Sequence, residues 1–275
     1  MEFRTIVDIP EPGFRIDPCE RLLFVGSCFA DSIGARFREE GFPVTVNPYG
    51  TMYNPVSILH TIEKWKVEGG VWKENTPHTV FLTLGTNHVY RLKETGEIVD
   101  NCEKRPAALF QEEELSVDAC ADYLTQAITL LRRANPEVRI VLTVSPIRYR
   151  KYGYHGSQLS KAILLLAVEK VHIHSCSSVA YFPAYEIVND ELRDYRFYKT
   201  DMLHPSDQAV EYIWQRLSET YLSDEAKAFI QEWAPLKAAL HHKPFDAESE
   251  EYKAFMHKTM LKVGALKEKY PTFAL

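Results

Sequence analysis

The sequence predicts an α/β fold, a three-layer α/β/α sandwich built on a mostly parallel five-stranded sheet and followed by C-terminal helices. Two observations lead to this class. Five short runs of bulky apolar residues recur along the first 222 residues, and their length and content suit buried parallel strands. Segments with helical spacing separate the runs, and such alternation is typical of βαβ units with helices on both faces of a sheet.

Each apolar run is expected to form one strand, and a helix is expected between successive strands. Pro205 suits the first position of the last of these helices. A short edge strand is expected at 5–9, and a hairpin at 89–105. The sheet strands are expected at 22–25, 44–46, 80–84, 139–144 and 179–182, and the helices at 29–40, 56–65, 117–133, 157–172 and 205–221.

The chain is expected to divide into an α/β domain at 1–222 and a helical extension at 223–275. Helical patterns at 224–240 and 247–270 fill the extension, with a His-Lys-Pro linker between them. These two helices could cover one face of the core, form a subunit contact or arch over the site.

Composition narrows the class of protein. Of the 275 residues, 45% are hydrophobic and 25% are charged, as in ordinary soluble domains, and the net charge of −6 does not favour nucleic acid. The N-terminus lacks a signal-peptide core, and no stretch approaches the ~20 apolar residues that span a bilayer. The five cysteines include no C-x-x-C pair, which argues against a disulfide framework or a structural zinc site. We expect a cytoplasmic protein without cofactor, metal, membrane or nucleic-acid partner, and a homo-oligomer stays open.

The stretch that carries the candidate chemistry is the junction at Gly26-Ser27-Cys28. Ser27 ends a strand and precedes a helix, whose free N–H groups and dipole favour negative charge. Such a turn is expected to lift the hydroxyl clear of the sheet, so Ser27 is predicted as a nucleophile. Two alternatives stay open: Ser27 could only cap the helix, and Cys28 could be the nucleophile.

A nucleophilic hydroxyl needs a base and oxyanion donors, and three later motifs could provide them. His204 is predicted as the base, with Asp201 three residues earlier to orient its ring. The N–H groups of Ser27 and Gly50 and the side-chain amide of Asn87 are predicted oxyanion donors. Alternatively, Asp201 could cap a turn, His204 could be a core histidine, and Asn87 could satisfy loop backbone groups.

Substrate contacts are predicted from Tyr53, His88, Arg148 and Tyr154. Residues 148–155 and 193–198 are rich in arginine and tyrosine, so they could form a wall that stacks on sugars or binds anions, or be ordinary surface. His88 could lie at the mouth of the site or be a plain loop residue. His172 and His174 have a spacing that metal ligands use, but no third ligand is evident and helix-end polar residues are the preferred reading.

This set of motifs resembles the SGNH, or GDSL-like, hydrolase superfamily. That superfamily carries Ser, Gly, Gly-x-Asn and Asp-x-x-His in successive blocks, and the matching residues here are Ser27, Gly50, Gly85 with Asn87, and Asp201 with His204. The string Gly26-Ser27-Cys28-Phe29-Ala30 resembles more narrowly the GSCFA-domain family, as do the segments at 47–55, 144–148 and 201–206. One departure is that the superfamily pattern is Gly-Asp-Ser, whereas Gly26 directly precedes Ser27.

The resemblance implies a flavodoxin-like sandwich of the SGNH hydrolase type and ester hydrolysis or acyl transfer, often on O-acetylated sugars. We therefore expect a serine esterase or deacylase that removes a small acyl group, with acetyl the best candidate, from a carbohydrate through Ser27, His204 and Asp201. Two alternatives stay open. One is an O-acyltransferase with the same triad, and the other is a non-catalytic carbohydrate-binding or scaffolding protein.

Overall fold

The structure is a computed structural model that describes residues 4–68, 76–173 and 178–275. His174, named above, and one of the five cysteines, Cys176, lie outside the described residues. A five-stranded sheet forms the centre, and all its strand pairs are parallel. A second, three-stranded antiparallel sheet stands beside it. The strands are β1 Leu22–Gly26, β2 Val44–Val46, β3 Thr79–Leu84, β4 His88–Leu92, β5 Ile98–Val99, β6 Phe110–Glu114, β7 Arg139–Val144 and β8 Val179–Tyr181.

The strand order of the central sheet is β2-β1-β3-β7-β8. Counted among these five strands alone, the order is 2-1-3-4-5, which is the flavodoxin-like arrangement. The longer helices are α1 Cys28–Glu39, α2 Pro55–Glu68, α3 Val117–Ala134, α4 Gly153–Ile173, α5 Asp207–Tyr221, α6 Asp224–Leu240 and α7 Glu250–Lys269.

Two hydrophobic cores cover the two faces of the sheet, because successive side chains of a strand point to opposite faces. On one face, Phe24 of β1 stacks on Phe81 of β3 and packs with residues of α1 and α5. On the other face, Leu23 and Val25 pack with residues of α2, α3 and α4. The predicted three-layer fold is therefore confirmed.

Three details differ from the sequence prediction. Residues 5–9 are described and form no strand, so the edge strand is wrong. The hairpin is present as β4 and β5, but β6 adds a third strand on its other side, and its Gln-Glu-Glu-Glu content hid it. Two helix starts also differ: α4 begins at Gly153 rather than Ser157, and α5 begins at Asp207 with Ser206 as its N-cap, so the expected place of Pro205 as first helical residue is wrong.

The C-terminal helices pack at the end of α1 that lies farthest from the carboxyl edge of the sheet. Helix α1 starts directly after β1 and runs about 18 Å at 1.5 Å per residue, so Glu39 lies near the opposite edge. The Trp233 indole N–H of α6 donates to the Glu39 carbonyl at 2.9 Å, and Lys237 pairs with Glu40 at 2.7 Å. These helices therefore do not arch over the carboxyl edge, and the boundary at 222 stays a prediction. Within the described residues, no helix is both long and apolar enough to cross a bilayer.

Candidate active site

The turn from β1 into α1 depends on Gly26, which has φ +145° and lies against β3. A Cβ at this position would lie 2.1 Å from the Thr83 carbonyl oxygen, so only glycine fits without moving the backbone. The Gly26 N–H donates to the Asn47 side chain at 2.9 Å, and the Asn47 amide donates in turn to Asp31 of α1 at 2.9 Å. Asn47 therefore ties the loop after β2 to the strand–helix junction.

Ser27 lies at this junction, but its side chain is 0% exposed. Its Oγ accepts the Phe29 N–H at 3.3 Å as the N-cap of α1 and lies 3.4 Å from Thr83 Oγ1. The expectation that the turn lifts this hydroxyl clear of the sheet is therefore wrong. Capping, the alternative left open above, is what the structure shows, and the role of Ser27 as nucleophile stays a prediction that this placement does not favour.

Cys28 is the next residue and the first of α1, and it is partly exposed. Its Sγ lies 3.8 Å from the Tyr53 hydroxyl. The Ser27 N–H is already donated to the Thr83 carbonyl at 3.1 Å, whereas no acceptor is recorded for the Cys28 N–H in the described residues. The sequence contained a signal for Cys28 as the candidate nucleophile. In the superfamily pattern Gly-Asp-Ser the nucleophile is the second residue after the glycine, and in this chain that residue is Cys28.

Asp201 and His204 form the clearest catalytic geometry in the structure. His204 Nδ1 lies 2.6 Å from Asp201 Oδ2, while Asp201 Oδ1 accepts the N–H groups of Leu203 at 2.8 Å and His204 at 3.0 Å. These bonds, the main-chain bond from His204 first, lower the pKa of Asp201 to about 2. An ionised Asp201 holds the proton on Nδ1 and leaves Nε2 as the basic nitrogen.

His204 is no core residue, since its side chain is 39% exposed. Its loop is tied to the loop after β7 by Arg148, whose N–H donates to the Leu203 carbonyl at 3.1 Å and whose Nη1 donates to the Met202 carbonyl at 3.0 Å. The next residue, Tyr149, packs edge-on against Tyr53, with ring centroids 6.0 Å apart.

Arg148, Tyr149 and Tyr53 thus connect the His204 loop to Cys28 at one edge of the sheet. Among the described residues, no hydrogen bond joins His204 to Ser27 or to Cys28.

The three predicted oxyanion donors are occupied in this conformation. Besides the bond from Ser27, the Gly50 N–H donates to the Asn47 carbonyl at 2.9 Å, and the Asn87 amide donates to the Leu115 carbonyl at 2.9 Å. Asn87 is also fully buried, which matches its alternative role in satisfying loop backbone. Their oxyanion roles stay predictions, while the Cys28 N–H is a free donor at the start of α1.

The predicted substrate residues fall into two groups. Tyr53, Arg148 and Tyr154 lie at the surface of the edge, and the Arg148 guanidinium stacks 4.3 Å from the Tyr154 ring centroid. His88 is only 8% exposed, and its ring stacks on Tyr152 at 3.6 Å. Burial lowers the pKa of His88. This placement does not favour the mouth of the site for His88, and its substrate role stays a prediction.

Two residues support this edge from below: Lys161, which the sequence analysis missed, and Tyr149, which it placed in the candidate wall at 148–155. Lys161 of α4 is buried and donates to the carbonyls of Gly85 at 2.6 Å and Ser145 at 2.8 Å, which follow β3 and β7. Burial lowers its pKa to about 7. The Tyr149 hydroxyl is buried with no hydrogen-bond partner among the described residues. A Cβ at Gly85 would lie 2.2 Å from that hydroxyl, which explains the glycine of the Gly-x-Asn motif.

A lysine within the apolar face of α4 was the available signal for Lys161. In the described residues, no group of three or more His, Cys, Asp or Glu side chains could hold a metal ion.

Fold and site together define a flavodoxin-like α/β protein with an Asp–His pair at the carboxyl edge of its sheet. The profile described as the GSCFA family matches residues 21–79 and 73–217, and the profile described as GSCFA domain protein, C-terminal domain, matches residues 233–275. The chain therefore belongs to the GSCFA family. A search of the curated proteins found none that matches the sequence.

Three solved structures are similar to part of this chain. A carbohydrate esterase family 3 protein from Talaromyces cellulolyticus is 12% identical, with 78% of this chain and 99% of that chain covered and a TM-score of 0.45. A protein designated a GDSL-like lipase from Parabacteroides merdae is 11% identical, with 76% and 100% covered and a TM-score of 0.49. A family two carbohydrate esterase from Clostridium thermocellum is 13% identical, with 74% and 64% covered and a TM-score of 0.44. These values are too low to transfer an activity.

Proposed function

We propose that this GSCFA protein is a carboxylic ester hydrolase in which Cys28 is the nucleophile, His204 the base and Asp201 the group that orients the base. The observation that carries the proposal is the bonding of Asp201, which holds both the His204 ring and its main-chain N–H. This arrangement fixes one tautomer, with the proton on Nδ1 and the lone pair on Nε2, as a general base requires.

Cys28 is the better supported nucleophile for two reasons. Its thiol is partly exposed, whereas the Ser27 hydroxyl is buried and used as a cap. Its N–H also has no recorded acceptor among the described residues, so the helix start could donate to an oxyanion that forms on a carbonyl bound at Sγ.

The reaction proceeds in two balanced steps. In the first step His204 Nε2 takes the thiol proton, Sγ bonds to the carbonyl carbon, and the Cys28 N–H stabilises the oxyanion. The C–O bond then breaks, and His204 returns the proton to the departing alcohol, which leaves a thioester. In the second step His204 takes a proton from water, the hydroxide displaces Sγ, and the thiolate is reprotonated.

The substrate class that we propose is an ester of a small acyl group on a carbohydrate, and acetyl is the best candidate for that group. The acyltransferase alternative uses the same residues with a sugar hydroxyl in place of water, and a non-catalytic binding protein would form no thioester. Both alternatives are outcomes of the experiment below.

The test is to trap the acyl group and locate it. Purified protein is mixed with p-nitrophenyl acetate, quenched in acid and mapped by peptide mass spectrometry. We expect acetyl on Cys28, lost in His204→Ala, and steady release of acetate into water without an added acceptor.

Cys102→Ala is the matched control, because Cys102 is likewise a partly exposed thiol and lies in the segment after β5 rather than at the start of α1. Acetyl on Ser27 would contradict the assignment of Cys28. Acetyl that leaves only when a sugar acceptor is added would favour the transferase, and a protein that neither acylates nor hydrolyses the ester would refute the proposed function.

A further inference from the structure

A cavity of about 250 Å³ lies beside the His204 loop. Arg148 lines it, and Arg148 also donates to the Met202 and Leu203 carbonyls within the Asp201–His204 segment. The cavity therefore shares Arg148 with the loop that carries Asp201 and His204. It is smaller than the roughly 300–1,000 Å³ typical of sites for drug-sized ligands, which suits a ligand of about one sugar ring.

The Arg148 guanidinium is a cation without a carboxylate partner in the described residues. It lies 4.3 Å from the Tyr154 ring centroid, 5.3 Å from that of Tyr198 and 5.9 Å from that of Tyr195. Its Nη1 is committed to the Met202 carbonyl, so Nη2 and Nε stay available. Two N–H donors in one plane match the two oxygens of a carboxylate.

The other charges around the cavity do not cancel this cation. Asp194 lines the cavity, but its Oδ1 accepts the Arg196 N–H as the cap of a short turn. Arg193 adds a second cation to the lining and lies 3.9 Å from Asp190. The charged lining residues Arg148, Arg193 and Asp194 sum to +1, and Arg193 has Asp190 beside it, so Arg148 is the lining cation that could pair with a ligand.

The remaining lining suits a sugar ring. Tyr195 and Tyr198 offer aromatic faces, and Tyr195 is 68% exposed. Gln158 Oε1 accepts from the Tyr185 hydroxyl and Asn189 Nδ2 donates to the Tyr185 carbonyl at 2.7 Å, so the Gln158 Nε2 and Asn189 Oδ1 atoms are the amide groups that could bond sugar hydroxyls.

We propose that this cavity, defined by Arg148, Arg193, Tyr195 and Tyr198, binds a carboxylate-bearing sugar unit of the substrate. The inference rests on the proposed function and deepens it, because it makes the alcohol part of the ester an acidic carbohydrate of the uronic acid type. Arg148 pairs with the sugar carboxylate, and the tyrosine rings pack on its C–H face.

Binding of unesterified sugars tests the subsite without turnover. Isothermal titration compares methyl glucuronoside, methyl glucoside and glucose 6-phosphate on the full chain. We expect the glucuronoside to bind at least tenfold more tightly than the glucoside or the phosphate. Arg148→Gln should weaken glucuronoside binding at least tenfold, and Arg193→Gln should weaken it at least fivefold.

Arg196→Gln is the matched control, since it removes the same charge from the same segment but does not line the cavity. It should leave the glucuronoside affinity unchanged. Equal affinity for the glucuronoside and the glucoside, a preference for the phosphate, or full glucuronoside binding by Arg148→Gln would overturn the inference.

The two proposals fail separately. A protein that binds the glucuronoside but never hydrolyses p-nitrophenyl acetate keeps the subsite and loses the hydrolase, and the reverse result loses only the subsite.

Discussion

Replacing Ser27 or Cys28 by alanine should separate stability from activity. Ser27→Ala removes the cap bond to the Phe29 N–H, recorded at 3.3 Å. Loss of an N-cap costs about 0.5–2 kcal/mol, and in a chain of this size each kcal/mol lowers Tm by about 2–4 °C. We therefore expect a fall in Tm of about 1–8 °C, while kcat stays within about tenfold because the thiol and the base are untouched.

Cys28→Ala should show the opposite pattern. Its thiol is partly exposed, packs against the core that contains α1 and lies 3.8 Å from the Tyr53 hydroxyl, so the free energy of unfolding should fall by about 1 kcal/mol or less. Loss of a nucleophile lowers kcat by about 10³-fold or more.

Both quantities are measured on the same preparations, with thermal melts followed by circular dichroism and initial rates on p-nitrophenyl acetate. Cys102→Ala again serves as the control for reactive surface thiols. Cys19 and Cys120 should contribute little background, because burial raises the pKa of each thiol to about 12. A folded Ser27→Ala protein without activity, beside an active Cys28→Ala protein, would refute the reasoning.

Four further substitutions test other parts of the structure. Asp201→Asn should lower kcat by about 10⁴-fold. In the unmodified protein the lowered pKa keeps Asp201 ionised above about pH 4, and the carboxylate loses its charge only as the pH falls through about 2. The pH–rate profile of the unmodified protein between pH 4 and 8 should therefore show no step from Asp201. Tyr149→Phe removes a buried, unpaired hydroxyl and should raise the free energy of unfolding by about 1 kcal/mol in urea titrations. Gly85→Ala should lower the free energy of unfolding by about 1–3 kcal/mol, and the double variant with Tyr149→Phe should recover part of that loss. If the effects of the two substitutions simply add, the contact between position 85 and the Tyr149 hydroxyl is contradicted. Phe229→Ala should lower the free energy of unfolding by about 3–5 kcal/mol, while kcat measured below the Tm of the variant stays unchanged. A tenfold loss of kcat at such temperatures would contradict the placement of α6 away from the site.

The sequence sufficed for the fold because the strands that build the central sheet are almost purely apolar. The run at β1 is buried along its whole length, as are those at β3 and, but for Arg139, β7, and such runs read clearly as parallel strands. β6 was missed because its stability comes from pairing with β4 and from contacts such as Arg91–Glu113, which no local pattern reports.

The site was predicted less completely. The pairing of Asp201 with His204 spans three residues and could be inferred from spacing alone. Which of two adjacent side chains faces outward at the start of α1 depends on how Ser27 meets Thr83 of β3, 56 residues away. The burial of Asn87 and His88 likewise depends on β6 and on Tyr152, which are distant in sequence.

Lys161 has a mechanical consequence for how a substrate enters. One ammonium group donates to the carbonyls that follow β3 and β7. Separating the ends of those two strands would break both hydrogen bonds, so the site is not expected to widen in that way. Motion that admits a substrate is instead expected in residues 148–155 and 193–204, which are joined through Arg148. A ligand bound to Arg148 would restrict the motion of both segments.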